Sequence, residues 1–307
     1  MSKQEVILLA GGSGLLGTEL VSAFKKDGHE VRILGRSFKG RETEGLYYWN
    51  PANGEMDAEA LKDVTILINL AGESVAGKLW TDARKDQILS SRVDSVRLLA
   101  DTISVSGYRP QKIIQASAVG IYGAKTGSDI FTEETAPASD FLASVCTAWE
   151  NEAKKFEEEL NIPLCIVRIG VVLASEGGAL YEIVKPMKFA VGAVLGTGRQ
   201  WVPWIHITDI AGIFIHFVKN RELTGVFNAV SPNPVNFEQL TRAAAKSLNR
   251  FVSPINVPAF ALKIALGEQA VIVLEGTRVS ASKIEASGYT FQYPHIQEAT
   301  DELLAKN

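Results

Sequence analysis

Cysteine is almost missing from this chain: Cys146 and Cys165 are the only two in 307 residues. Two are too few for a disulfide framework or a cysteine-based zinc site. The four histidines, His29, His206, His216 and His295, have no HxxxH-type spacing, so no metal is expected. Long apolar runs are missing too, and nothing approaches the roughly 20 residues that span a bilayer. An excess of positive charge is also lacking. Lys and Arg number 31 against 35 Asp and Glu, a formal charge of −4. On that balance neither nucleic acid nor a membrane is an expected partner. The opening MSKQEVILLAGG has too short an apolar run for a secretory signal, and a cytoplasmic location is expected.

Hydrophobic residues make up 46% and charged residues 21%, the balance of an ordinary globular protein, and the length suffices for one large or two small cores. Apolar runs of strand length occur at Val6–Ala10, Glu30–Leu34, Leu46–Trp49, Thr65–Leu70, Lys112–Ala116 and Leu164–Ile169. Helical patterns separate them: Leu16, Leu20 and Phe24 recur four apart, and Trp149, Ala153, Phe156 and Leu160 share a face. Strands apolar on both faces and separated by helices imply a parallel sheet covered on both sides. The fold class is therefore α/β, a Rossmann-type doubly wound parallel sheet. Beyond residue 170 the rhythm breaks. ASEGGAL and VLGTGRQ read as irregular loops, followed by a helix at Ile210–Lys219, a strand at Val226–Ala229 and a smaller, mainly helical carboxy-terminal lobe. We divide the chain into a nucleotide domain, residues 1–170 plus about 205–230, and a substrate lobe, about 171–204 plus 231–307.

The run VILLAGGSGLLGTEL holds Gly11, Gly14 and Gly17 between a strand and a helix. In a dinucleotide-binding turn the first glycine permits the sharp bend, the second lets backbone approach a pyrophosphate, and the third lets helix and sheet pack closely. The helix amino terminus then aims free N–H groups at the phosphates. Gly11, Gly12, Ser13, Gly14, Leu15, Leu16 and Gly17 are the expected cofactor contacts. An NAD site places an acid at the end of the second strand, about 20 residues on. This chain has LGRS there, so Arg36, with Ser37 beside it, is expected to grip a 2′-phosphate, and Lys39 and Arg41 to raise the local potential. NADP is thus favoured over NAD, unless Arg36 is simply a solvated surface residue.

GGSGLLG, INLAG (Ile68–Gly72) and IIQASAVGIYG (Ile113–Gly123), with VRIGVVL and WVPWIHITDIAGIF, resemble the extended short-chain dehydrogenases, which include nucleotide-sugar epimerases. GESVAGKLWT, SSRVDSVRLLAD, FLASVCTAWENEA and LEGTRVSASKIEASGYTFQYP resemble more narrowly their atypical epimerase-family group. With NADP (NADPH) as the cofactor that Arg36 favours, the resemblance implies Leu70, Ala71 and Gly72 beside it. It also implies a homodimer formed through helices of the nucleotide domain. In that superfamily a Tyr-x-x-x-Lys pair exchanges the substrate proton, the ammonium lowering the tyrosine pKa. Here Leu142 falls where the Tyr belongs and Cys146 where the Lys belongs.

The remaining catalytic candidates are Ser117, Tyr122, Cys146 and Arg92, each with two readings. Ser117 stands for the family serine that bonds the substrate oxygen, or caps a turn. Tyr122 is a substitute proton donor, or lines the pocket. Cys146 is a base if a cation lowers its pKa, or a packed helix residue. Arg92 orients an anionic substrate or lowers the pKa of Cys146, or it pairs with Asp94 or Asp101. Glu73, Trp80, Arg199 and Trp204 are expected to contact substrate, while His206 and Asp209 open a structural helix. Two functions follow. One is an NADP-dependent oxidoreductase or epimerase-like enzyme acting on a small polar substrate, and the other is an NADP(H)-binding sensor or scaffold without chemistry.

Overall fold

The structure, a computed structural model, describes residues 4–189 and 192–305. Its centre is a sheet of eight strands: β1 (Val6–Ala10), β2 (Glu30–Gly35), β3 (Leu46–Asn50), β4 (Glu55–Met56), β5 (Ile66–Asn69), β6 (Lys112–Ala118), β7 (Leu164–Ile169) and β8 (Gly225–Ala229). They lie in the order β8-β7-β6-β5-β1-β2-β3-β4. Every pair is parallel except β3 with the edge strand β4. The larger helices are α1 (Leu15–Lys26), α2 (Asp82–Ser106), α3 (Phe141–Ala153), α4 (Gly178–Phe189), α5 (Ile207–Lys219), α6 (Phe237–Ser247), α7 (Ala259–Leu266) and α8 (Ile296–Leu304). Strand order reverses at β1, between β2 and β5, and the carboxyl ends of these three strands bound the crevice where such sheets take ligands.

Side-chain alternation explains the double winding. Ile7 and Leu9 of β1 enter a core with Leu20 and Phe24 of α1 and Phe214 and Phe217 of α5. Leu8 and Ala10 enter the opposite core with Val96 and Leu99 of α2 and Trp149 of α3. A strand buried on both faces needs no polar alternation, which is why these segments read as unbroken apolar runs. A third core, in the lobe, gathers Leu180 and Val184 of α4, Leu240 of α6, Leu303 of α8, and Trp204.

The expected strands at Val6–Ala10 and Leu164–Ile169 are found with those bounds, and the other five differ at their ends by one or two residues. Two expectations beyond residue 170 are corrected. ASEGGAL is only partly loop, because α4 starts inside it at Gly178, whereas VLGTGRQ stays irregular with Gly196 and Gly198 at positive φ. The helix expected from Ile210 begins at Ile207, capped by His206, whose Nδ1 accepts from Thr208 N at 3.1 Å.

Asp209 is more than an early-turn acid. Its carboxylate accepts from the backbone N–H of Gln292 at 2.7 Å and of Tyr293 at 2.9 Å, and from the Tyr289 hydroxyl at 3.0 Å. The Tyr289 ring fits because α5 has Gly212 here, where a Cβ would sit 2.4 Å from the hydroxyl oxygen. Tyr289 and Phe291 thereby complete the core of the eight-stranded sheet.

Candidate functional site

Each glycine of the first turn has its own reason. Gly11 lies at φ +84°, a conformation disfavoured for side chains, and a Cβ there would come within 3.0 Å of the Leu70 carbonyl carbon. A Cβ on Gly17 would lie 2.3 Å from Gly11 O, and one on Gly12 would lie 2.7 Å from Ile33 Cγ2. Gly14 differs. Its nearest neighbour would be Gly11 O at 3.5 Å, ordinary contact, so nothing in the protein demands glycine there. Open space above Gly14 is what a phosphate-binding backbone requires. α1 begins at the next residue with no capping side chain and no acid in its first turn, and Ser13, Gly14 and Leu15 are exposed. The residues therefore fit a dinucleotide pyrophosphate.

At the end of β2, Arg36 and Ser37 are exposed, and Arg36 makes no hydrogen bond or ion pair among the described residues. Arg41, expected to add to the potential, is instead paired with Glu44 at 2.7 Å, while Lys39 lies 5.7 Å from the Tyr48 ring centre. Across the crevice Leu70 N–H donates to Ala10 O at 2.9 Å, and Ala71 N–H to the Asn69 amide oxygen at 3.1 Å. Asn69 is fully buried and held by Ser95 and Gln115, so the strand end before Gly72 is rigid.

Gly72 sits on Arg92, where a Cβ would lie 3.0 Å from the guanidinium carbon. Arg92 does not pair with Asp94 or Asp101. Its Nη1 donates to the carbonyls of Ile88 (2.9 Å) and Glu73 (3.0 Å), and its guanidinium stacks 5.1 Å from the Trp149 ring centre. Its Nε and Nη2 make no hydrogen bond among the described residues. Burial lowers the Arg92 pKa, against the opposing pull of Cys146 and Glu73. Arg92 does act on Cys146, but too weakly for the sequence reading that makes this thiol a base. Burial pushes the thiol up to about 12 and outweighs the lowering by Arg92, so Cys146 is a neutral thiol at pH 7.

Ser117 and Tyr122 are brought together, though inside the protein rather than at an open surface; each is 2% exposed. Ser117 donates to Glu150 Oε1 at 2.6 Å. Arg168 grips the same carboxylate with Nε and Nη2, both at 2.9 Å, and its Nη1 donates to the Tyr122 hydroxyl at 2.9 Å. That hydroxyl donates to the Asn228 amide oxygen at 2.7 Å, and Glu133 accepts from Asn228 N–H at 2.7 Å. Burial raises the Tyr122 pKa, against the lowering by Arg168. Burial also opposes the charge on Arg168, but the Glu150 carboxylate prevails and raises its pKa. Both hydroxyls thus have protein partners: Ser117 bonds a carboxylate rather than capping a turn, and Tyr122 lies in the core of the sheet. Sequence reasoning missed Glu150, Arg168 and Asn228. The signal was in VRIG: an arginine inside a strand buried on both faces requires a carboxylate.

Of the four expected substrate contacts, one is corrected. Trp204 is 1% exposed, belongs to the lobe core and donates its indole N–H to Asn233 O at 3.1 Å. Glu73 spends its carboxylate on Arg84 at 3.1 Å, tying the loop after Gly72 to α2. Trp80 remains half-buried, edge-on to Phe141 at 5.0 Å, with its N–H on Val75 O. Arg199 is exposed.

A sheet-switch crevice, a glycine turn opening onto a helix amino terminus and a carboxy-terminal lobe define a dinucleotide-binding protein of the Rossmann class. The profile of the NAD dependent epimerase/dehydratase family matches residues 7–229, and a profile described as a domain of unknown function (DUF1731) matches residues 257–303. The chain belongs to the NAD dependent epimerase/dehydratase family. It is 36% identical to the epimerase family protein YfhF of Bacillus subtilis over 302 residues, 97% of this chain and 98% of that one. It is 32% identical over 306 residues to the chloroplastic SDR39U1 homolog of Arabidopsis thaliana, covering 96% of this chain and 86% of that protein. The crystal structure of human epimerase family protein SDR39U1 (isoform 2) with NADPH superimposes with a TM-score of 0.88 at 28% identity. The match covers 98% of this chain and 100% of that one. UDP-glucuronic acid 4-epimerase of Bacillus cereus shares the fold, with a TM-score of 0.78 at 15% identity over 98% of each chain.

Proposed function

We propose that the chain binds NADPH at the glycine turn and is an NADP-dependent oxidoreductase or epimerase-like enzyme for a small polar substrate. In this reading Arg92 supplies the fixed charge beside the nicotinamide that a Tyr–Lys pair supplies elsewhere. The observation that carries the cofactor choice is Arg36, an exposed guanidinium at the end of β2 where an acid would select NAD. Similarity to the human protein solved with NADPH supports it. The nucleotide domain is residues 1–170 with about 205–230, its core completed by residues 279–291, and the rest forms the substrate lobe.

The nicotinamide, when bound, supplies or accepts a hydride. Hydride arriving at a carbonyl carbon leaves negative charge on its oxygen. Arg92 is a cation with no carboxylate of its own among the described residues, and its Nε and Nη2 are available to that oxygen. Cys146 stays a thiol at neutral pH and does not serve as a resting base. Ser117 and Tyr122 act through Glu150 and Arg168, fixing the ends of β6 and β7.

Titration with NADPH and NADH, followed by nicotinamide fluorescence, tests the reading. Tight NADPH binding and weak NADH binding are expected. Arg36→Ala is expected to weaken NADPH by about 10-fold or more, as a bidentate charge-assisted contact implies. Equal affinity for both nucleotides would refute it. The second reading, a silent NADP(H)-binding sensor or scaffold, is favoured by one observation: Leu142 and the neutral Cys146 stand where the proton-transfer pair belongs. NADPH consumption in a small-molecule extract separates the two. Turnover that Arg92→Gln abolishes while NADPH still binds supports the enzyme; none with any extract supports the sensor.

A further inference from the structure

One cation, where the loop after β6 meets the lobe, has nothing to hold. Arg278 is half-buried, and its Nε is closed off from water without an acceptor. No described residue accepts from its other nitrogens or lies within ion-pair distance of it. Its guanidinium rests 5.2 Å from the centre of the Trp201 ring, and the Trp201 indole N–H donates to Gly127 O at 2.8 Å. Gly276 lets the segment lie this close, since a Cβ there would collide with Trp201 O. An ordinary surface arginine carries its head into water or spends it on a carboxylate. Trp201 holds Arg278 short of the first, and it has no partner for the second.

The acids of its neighbourhood are spent or solvated. Glu275 accepts from the Thr126 backbone N–H at 3.2 Å and from the Thr126 hydroxyl at 2.6 Å. Glu133 accepts from Asn228 N–H at 2.7 Å. Asp129, beside the Ile130 with which Arg278 pairs in parallel, is exposed and forms no ion pair among the described residues. The segment that carries Arg278 also crosses the mouth of the sheet. Gln269 donates to Val75 O at 3.0 Å, in the loop after β5, and Glu275 holds Thr126, in the loop after β6. Ser280 O accepts from Asn228 Nδ2 at 3.3 Å, one residue from the end of β8. Residues 269–280 therefore run along the carboxyl ends of β5, β6 and β8, the side on which a parallel sheet takes its ligands.

We propose that Arg278, seated on Trp201, anchors an oxyanion group of the ligand bound in the crevice, a carboxylate or a phosphate. A guanidinium has five N–H donors and no acceptor, so only an accepting group satisfies it, and an anionic one also cancels its charge. A neutral hydroxyl would take one donor and leave the half-buried charge standing. The inference rests on the crevice being a substrate site, and it narrows that substrate from small and polar to small and anionic. In that reading Arg92, beside Gly72, serves the reacting oxygen, while Arg278 holds the charged end of the molecule.

An NMR titration of the indole N–H groups tests it, run with NADPH in excess so that the glycine turn and Arg36 are occupied. The probes are sodium phosphate and sodium acetate, each at constant ionic strength in chloride. Of the five tryptophan signals, that of Trp201 is assigned as the one lost in Trp201→Phe. It is expected to move and saturate, and the anion that saturates it at the lower concentration tells phosphate from carboxylate. Arg278→Gln is expected to weaken the response about tenfold or more, as loss of a charged hydrogen bond implies. Its melting midpoint should fall by no more than about 2 °C, since only the contact with the Trp201 ring is lost. Arg278→Lys is expected to keep part of the response, and Arg97→Gln, an exposed charge on α2, to change nothing. A Trp201 signal that neither anion moves, that moves equally in Arg278→Gln, or that moves only without NADPH would each overturn the proposal. If NADPH fails to bind yet Trp201 still responds, the cofactor assignment falls and this one stands; if NADPH binds and Trp201 is silent, this one falls alone.

Discussion

Replacing Glu150 by Gln isolates the buried network that has absorbed Ser117 and Tyr122. The substitution keeps the shape and removes one charge. Glu150 accepts from Ser117 at 2.6 Å and from Arg168 through two bonds of 2.9 Å, and both charged side chains are 7% exposed. With the carboxylate gone, Arg168 retains its Nη1 contacts with the Tyr122 hydroxyl and Glu133 O. The guanidinium is then left buried without a counter-charge. Breaking such a pair from one side costs about 3–5 kcal/mol. For a chain of this size, at about 2 °C per kcal/mol, the melting midpoint should fall by roughly 6–10 °C. Urea unfolding followed by tryptophan fluorescence reads the same loss as a lower midpoint at constant slope. Removing both charges, Glu150→Leu with Arg168→Met, should recover most of it, because an apolar pair carries no desolvation cost. A single substitution costing under about 1 kcal/mol, or a double variant no better than the single, would refute the reasoning. NADPH affinity should change little in either case, since none of these residues belongs to the glycine turn.

Three further outcomes follow from the same geometry. Gly17→Ala should destabilise the fold because its Cβ meets Gly11 O at 2.3 Å, whereas Gly14→Ala should fold normally and lose NADPH affinity, readable by pairing thermal melts with fluorescence titration. Cys146 and Cys165 both rise from 9.0 to about 12 on folding, so the folded state holds their protons more tightly. Their stabilisation is complete below pH 9 and is lost as pH rises toward 12, by up to about 1.4 kcal/mol per pH unit for each thiol; Cys165→Ala should flatten the alkaline limb of a stability–pH curve. For the same reason iodoacetamide at pH 8 should leave both thiols unmodified in the native protein and label both in urea.

The sheet was legible because its chemistry is local. A strand buried on both faces must be apolar throughout, and β1 and β7 announced themselves that way. The turn was equally clear, since Gly11 and Gly17 answer to backbone geometry that only glycine meets. Arg36 was read from its place after β2. The catalytic candidates were harder. Ser117 and Tyr122 were assigned by position, yet where a hydroxyl points depends on partners 33 and 106 residues away, Glu150 and Asn228. Trp204 looked like a substrate contact because its loop clamps the substrate in the family the chain resembles, while its burial is set by α4, α6 and α8, whose packing no local pattern reveals.

The grip of Asp209 on residues 289–293 bears on how the chain is made. Val279, Ala281 and Ile284 are buried in the core of the eight-stranded sheet, and Tyr289 and Phe291 pack against it. Residues 279–291 therefore finish a core that begins with β1, more than 260 residues earlier in the chain. A ribosome-bound chain not yet extended to Gln292 would present an uncovered flank of α5, with the Asp209 carboxylate still without the backbone donors it takes from Gln292 and Tyr293. Residues 257–303 are accordingly not a cargo appended to a finished nucleotide domain. Grafted elsewhere they would lose their anchor, and cut away they would leave that domain open along one side.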